Sequence, residues 1–170
     1  MGRPPIGMWA EDVSKATSYL LDRGDVESVA VLGYGIFGKV ALYAAALDTR
    51  IAAAAVSIDS LSYRRDATAG LAHAYADVPH ILTWGDTPQL AALVAPRPLL
   101  ILRAGLPDTR FESERYFSPS PRVQPLEEWV PQKDLETAFD WTARFYGVLG
   151  EEQQFRTGWQ DDAAWIAGDF

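Results

Sequence analysis

The sequence contains no cysteine, only two histidines and two methionines, and no apolar run near the ~20 residues that a membrane span needs. Without cysteine there is no disulfide framework, no thiolate nucleophile and no thiolate zinc site. Two histidines, His73 and His80, are too few for a histidine-rich metal centre. The first residues, MGRPPIGMWAEDV, lack the apolar core of a secretory signal, so a cytoplasmic protein is expected. Positive charge is also scarce: 15 Lys and Arg against 23 Asp and Glu leave a net charge of -8. The arginines, among them Arg23, Arg50, Arg97, Arg122 and Arg144, are scattered, and the nearest thing to a basic patch, Arg64-Arg65, reads as a solvated loop pair. Nucleic acid is therefore excluded as a partner, and no membrane partner, metal or cofactor is expected.

What is present is an apolar content of 48% with ordinary charge, enough for one domain, residues 1–170, with a genuine core. Trp9, Val13, Ala16, Leu20 and Leu21 recur at helical spacing and Gly24 follows as a stop, which predicts a helix over 9–23. Val29 to Leu32 is a short apolar run ending in glycines, the pattern of a buried parallel strand. Lys39 to Leu47 is Ala- and Leu-rich without a breaker and reads as a helix packed closely on a sheet. Ile51 to Ile58 and Pro98 to Leu102 are further strands, and Gln153 to Thr157 is a candidate fourth. Leu61 to Ala95 shows no clear period and is expected to be an insertion over an edge of the sheet; a loop rich in Pro and Ser follows at 106–130. Leu135, Ala138, Phe139, Thr142, Tyr146 and Leu149 mark a last helix, stopped by Gly150. The alternation predicts an α/β class: a three-layer sandwich with a short, mostly parallel sheet of about four strands and helices on both faces.

The turn after the first strand, Gly33-Tyr34-Gly35-Ile36-Phe37-Gly38, admits two readings. As GxGxxG it would seat a dinucleotide pyrophosphate on the first amides of the helix, with Asp59 placed to hold ribose hydroxyls. As a GxSxG nucleophile elbow it has glycine where the nucleophile belongs. Phe37 crowds the dinucleotide turn, and a lone GxGxxG is a weak signal.

The order of WAEDVSKATSYLLDR, VAVLGYGIFGKVALYAAALDTRIAAAAVS, WGDTPQLAALVAPRPLLILRAGLPD and FDWTARFYGVLG resembles the C-terminal half of α/β-hydrolase family proteins, in the acetyl-xylan-esterase-like and dienelactone-hydrolase-like branch. The resemblance runs from about Trp9 to Arg156. Its most specific pieces are AALDTRI, where the resemblance implies a helix ending in an Asp-x-Arg-Ile step into the next strand, and LAALVAPRPLLIL, where it implies a short helix and APRP leading into the strand of the acid. It implies that Gly35 stands at the nucleophile position and that Asp108, after PLLIL, stands at the position of the acid. It also implies that the histidine should come last in the chain, where RTGWQDDAAWIAGDF has none; His73 and His80 both precede Asp108. Such a chain has no catalytic residues of its own. Tyr34, Asp59, Asp108 and Trp159 are candidates to line a crevice at the strand ends. Trp9, Trp84, Trp129 and Trp141 are expected in the core. The acid pairs Glu127-Glu128 and Asp161-Asp162 look like solvated charge.

The resemblance further implies a truncated fold in which Val29 to Leu32 becomes an exposed edge. Such an edge is expected to be covered by a second copy, giving a homodimer, or by a partner protein. Three functions follow: a non-catalytic binding or assembly module, an esterase-type hydrolase completed by a partner chain, or a nucleotide-binding protein using Gly33, Gly35 and Gly38.

Overall fold

A computed structural model of the chain describes residues 4–58, 61–64, 77–103 and 132–159. Helix α1 spans Pro5–Leu21, starting earlier than its apolar period suggests because Pro5, with its fixed φ and missing amide, suits the first helical turn. It buries Ile6, Ala10 and Thr17 on one face, while Lys15 pairs in solvent with Glu11 and Asp12. Strand β1 (Val29–Tyr34) leads through Gly35 into α2 (Ile36–Leu47), and β2 follows at Ile51–Ser57. Then come α3 (Thr87–Ala92), β3 (Leu99–Arg103), α4 (Gln132–Val148) and β4 (Phe155–Trp159).

The sheet order is β1-β2-β3-β4, and all three pairings are parallel. Each expected strand formed within a residue or two of its limits; the central strands β2 and β3 are apolar runs because the sheet buries them, while β1 leaves Leu32 and Tyr34 exposed and β4 (FRTGW) is mixed. The helices pack side by side, α1 on α2, α2 on α3 and α3 on α4. One sheet face contributes Ala54, Val56, Leu99 and Ile101 to the main core; the other buries Ala55, Leu100 and Leu102 in a cluster of their own. The expected α/β class with a short parallel sheet and packed helices is what the structure shows.

Helix α2 is buried from Gly38 to Ala45 without a break. That explains why KVALYAAAL carries no amphipathic period: a helix with neighbours all round has no solvent face to mark. In α4, by contrast, Leu135, Phe139, Thr142 and Tyr146 face inward at helical spacing.

Two expectations need correction. The stretch 61–95 is not merely an insertion, because α3 lies within it and packs between α2 and α4. Its start is a capping box: Asp86 accepts from the helix amides, and the Asp86 amide donates to Gln89 Oε1 at 2.8 Å. Second, Trp84 is 89% exposed at the end of a 3-10 turn, and Trp141 stacks on Phe145 on the outer side of α4, so neither is core. Trp9 is half-buried against Phe37, and Trp129 lies outside the described residues.

The two motifs that carry the family resemblance meet at the C-terminal end of α2. Arg97 donates to the carbonyls of Ala45 (2.7 Å), Asp48 (3.1 Å) and Ile51 (2.7 Å), satisfying groups that the helix end leaves unpaired. Arg50 grips the Asp48 carboxylate with Nε at 2.9 Å and Nη2 at 2.7 Å and reaches Ser18 on α1. These charge-assisted hydrogen bonds from Arg50 hold the Asp48 carboxyl down at about 2. Tyr146 Oη closes the cluster on the Arg97 carbonyl at 2.8 Å.

Candidate functional site

The N-terminal end of α2 is where the sequence placed its candidate site. Gly35 adopts φ 58° and ψ -130°, a region that residues with side chains enter only under strain. The strand-to-helix reversal demands this, because the chain must turn within one residue between Tyr34 and Ile36. A side chain begun at Gly35 would meet nothing within 4 Å, so the tip of the turn is open. Gly38 answers a different need: an added methyl would run into the Ser57 carbonyl, and one at Gly33 would come within 2.7 Å of the Ala41 methyl. The spacing of these glycines is thus accounted for by the reversal and by close packing of α2 on the sheet.

Along the carboxyl edge of the sheet the register aligns Tyr34, Ser57, Leu102 and Gly158. Trp159 ends β4, three strand spacings or about 14 Å from β1, so the turn and Trp159 stand at opposite sides of that edge. Asp59 and Asp108 lie outside the described residues, as do His73, Glu127-Glu128 and Asp161-Asp162. His80 is exposed, in a left-handed turn ahead of α3. Phe37 does not fill the space above Gly35. It is 62% exposed and turns toward α1, its ring centroid 6.1 Å from that of Trp9.

The structure adds a polar cluster that sequence reasoning passed over. Lys39, in the first turns of α2, is only 6% exposed, and its Nζ lies 4.5 Å from the Tyr63 ring centroid. Tyr63 Oη lies 3.0 Å from Tyr43 Oη, and burial pushes the Tyr43 phenol above its ordinary range. Asp86 fixes this segment by accepting from Ser62 Oγ at 2.5 Å and from the Tyr63 amide at 2.7 Å. Burial pushes the Asp86 carboxyl up, but hydrogen bonds from Ser62 and from the Thr87, Tyr63 and Arg64 amides outweigh it and hold the group below the usual range. The available signal was a lysine inside an otherwise apolar helix. Among the described residues no group of three or more His, Cys, Asp or Glu is placed to hold a metal ion, and no helix is long and apolar enough to cross a membrane.

A parallel sheet with a sharp strand-turn-helix at its carboxyl edge is the architecture of α/β-hydrolases. Solved structures share it. A CE15 glucuronoyl esterase from Teredinibacter turnerae T7901 aligns at TM-score 0.60 and 24% identity, over 98% of this chain and 47% of its own. The glucuronoyl esterase catalytic domain from Hypocrea jecorina aligns at TM-score 0.60 and 16% identity, over 91% of this chain and 44% of its own. A promiscuous CE15 esterase from a marine bacterial metagenome aligns at TM-score 0.55 and 24% identity, covering 85% and 36%. The chain has the α/β-hydrolase fold of these esterases and spans less than half of their length. No family model matches it, and no curated protein matches it.

Proposed function

We propose that this chain is a non-catalytic α/β-hydrolase-fold protein that works as a binding or assembly module. The observation that carries the reading is Gly35: the backbone at the tip of the turn has the strained form of a nucleophile elbow, and the group that would attack a carbonyl is a hydrogen atom. A serine there would still need a base, and the sequence after β4, QDDAAWIAGDF, holds no histidine. On this reading the exposed edge of β1 is the contact surface, for a second copy or for a partner protein.

A second reading draws support from the coverage of the esterase structures: a chain matching 36–47% of their length could be one part of a hydrolase completed by another chain. A nucleotide site on the glycine turn has less support. Dinucleotide sites sit where the strand order reverses, and the four described strands run 1-2-3-4 without a reversal. The deciding experiment is an ester-hydrolysis assay with aryl acetates and with methyl and aryl esters of glucuronic acid. Neither the natural chain nor Gly35→Ser should exceed the uncatalysed rate. Turnover by either one overturns the proposal, and turnover that requires an added polypeptide establishes the completed-hydrolase reading.

A further inference from the structure

Lys39 stands one helical turn beyond Gly35, about 6 Å along the axis of α2, yet it is only 6% exposed. A lysine nitrogen is seldom taken out of water unless partners are built for it. One partner is the ring of Tyr63, whose centroid is 4.5 Å from Lys39 Nζ and whose hydroxyl lies 3.0 Å from Tyr43 Oη on the next turn of α2. Residues 61–64 therefore lie across the first turns of α2, and what anchors them belongs to another element. The Asp86 carboxylate accepts from Ser62 Oγ at 2.5 Å, from the Tyr63 amide at 2.7 Å and from the Arg64 amide. The oxygen that takes the Tyr63 amide also takes the Thr87 amide at 2.7 Å, so one group caps both the start of α3 and the helical backbone of Tyr63 and Arg64.

We infer that residues 61–64 form a strap that keeps Lys39 out of solvent beside the glycine turn, and that Asp86 is the clasp of that strap. With the strap in place the turn presents backbone and the exposed ring of Phe37; with the strap released it gains an amine one helical turn from Gly35. Asp86 works through Tyr63, as a positioning residue: its bonds fix the Tyr63 backbone, and the ring is held over Lys39 as a result. Hydrogen bonds to an ionised acceptor are roughly twice as strong as neutral ones, which suits a carboxylate on which several donors converge. The capping box separates a clasp from a plain helix cap. Gln89 supports the start of α3 by accepting from the Asp86 amide at 2.8 Å, whereas the Asp86 carboxylate serves both α3 and the strap.

The sequence has three lysines, Lys15, Lys39 and Lys133, so acylation by an amine-reactive ester can be followed residue by residue in peptides by mass spectrometry. Lys15, whose side chain is 66% exposed, is the internal reference. In the natural chain Lys39 should react at least ~10-fold more slowly than Lys15. Asp86→Ala should raise the ratio of Lys39 to Lys15 labelling by about 10-fold, the size expected for losing hydrogen bonds to a charged group. Asp86→Asn keeps an acceptor for the Tyr63 amide and should hold the ratio within about 3-fold of the natural one. Gln89→Ala weakens the same helix start and should leave the ratio unchanged, while Tyr63→Leu, which removes the ring and keeps apolar bulk, should raise it with Asp86 intact. Circular dichroism checks that each variant is folded. If Asp86→Ala is not, Ser62→Asp, which sets a second carboxylate against Asp86, takes its place with the same expected rise. Equal labelling of Lys39 and Lys15 in the natural chain, an unchanged ratio in Asp86→Ala or its substitute or in Tyr63→Leu, no protection in Asp86→Asn, or an equal rise in Gln89→Ala overturns the inference. Ester turnover would leave the strap untouched, and an accessible Lys39 would leave the non-catalytic reading untouched, so the two fail separately.

Discussion

The two ends of α2 are built on opposite plans. At its C-terminal end, Arg97, Arg50, Asp48 and Tyr146 bind helix, strand and neighbouring helices through close, charge-assisted hydrogen bonds. At its N-terminal end the turn carries no hydrogen-bonding side chain at its tip, Gly35 faces open space, and Phe37 and Leu32 lie exposed. One end spends its polar groups on holding the fold. The other is a sharp strand-to-helix turn with a glycine at its open tip.

The contrast can be broken most forcefully at Arg97. Arg97→Ala leaves three carbonyls without their charged donor and should destabilise the chain by about 3 kcal/mol or more in urea unfolding. A loss below about 1 kcal/mol would mean that this end is not the anchor described. Gly38→Ala drives a methyl into the Ser57 carbonyl and should cost about 2–3 kcal/mol, measured the same way.

Asp48 gives the pH signature of the anchored end. Its carboxyl is held below its unfolded value of about 3.9. The stability it contributes is therefore full above that value and is lost as pH falls through about 2 in the folded state. With Arg50 half exposed, the loss should be of the order of 1–2 kcal/mol, and Asp48→Asn should remove that part of the acid profile. At the open end, Gly35→Ala should cost only about 1–2 kcal/mol, from backbone strain without a clash. The smallest effect is expected for Leu32→Asp on the unfolding of the isolated chain, within about 0.5 kcal/mol, because its side chain is mostly in solvent. A large effect there would show that the edge is part of the core after all.

Strands β1 to β3 and the helices α1 and α4 could be read from the residue order because their signals are local: an apolar run of five to seven residues, or a helical period, needs no distant partner. Helix α3 showed no period because six residues are too few; the family resemblance placed a short helix at LAALVA, and the cap Asp86-Thr87-Pro88-Gln89 is the local mark of its start. Trp141 was misjudged because it sits one step off the inward stripe of Phe139 and Thr142, where rotation about the helix decides exposure. The burial of Lys39 depends on Tyr63, which folding brings over it from 24 positions away. The glycine turn was visible as a pattern, but two chemistries share that pattern, and its glycines answer first to the reversal and to close packing.

By itself, the residue order determined the α/β class, the parallel strands and the absence of a hydroxyl at Gly35, since each follows from chain-local periodicity or from the identity of one residue. Only the tertiary structure decided that AALDTRI and APRP form one polar anchor, that Phe37 turns outward to Trp9 of α1, and that Lys39 is buried against Tyr63. Those are relations between segments far apart in the chain. They are set by which apolar faces can be buried together, and no stretch of residues encodes that alone.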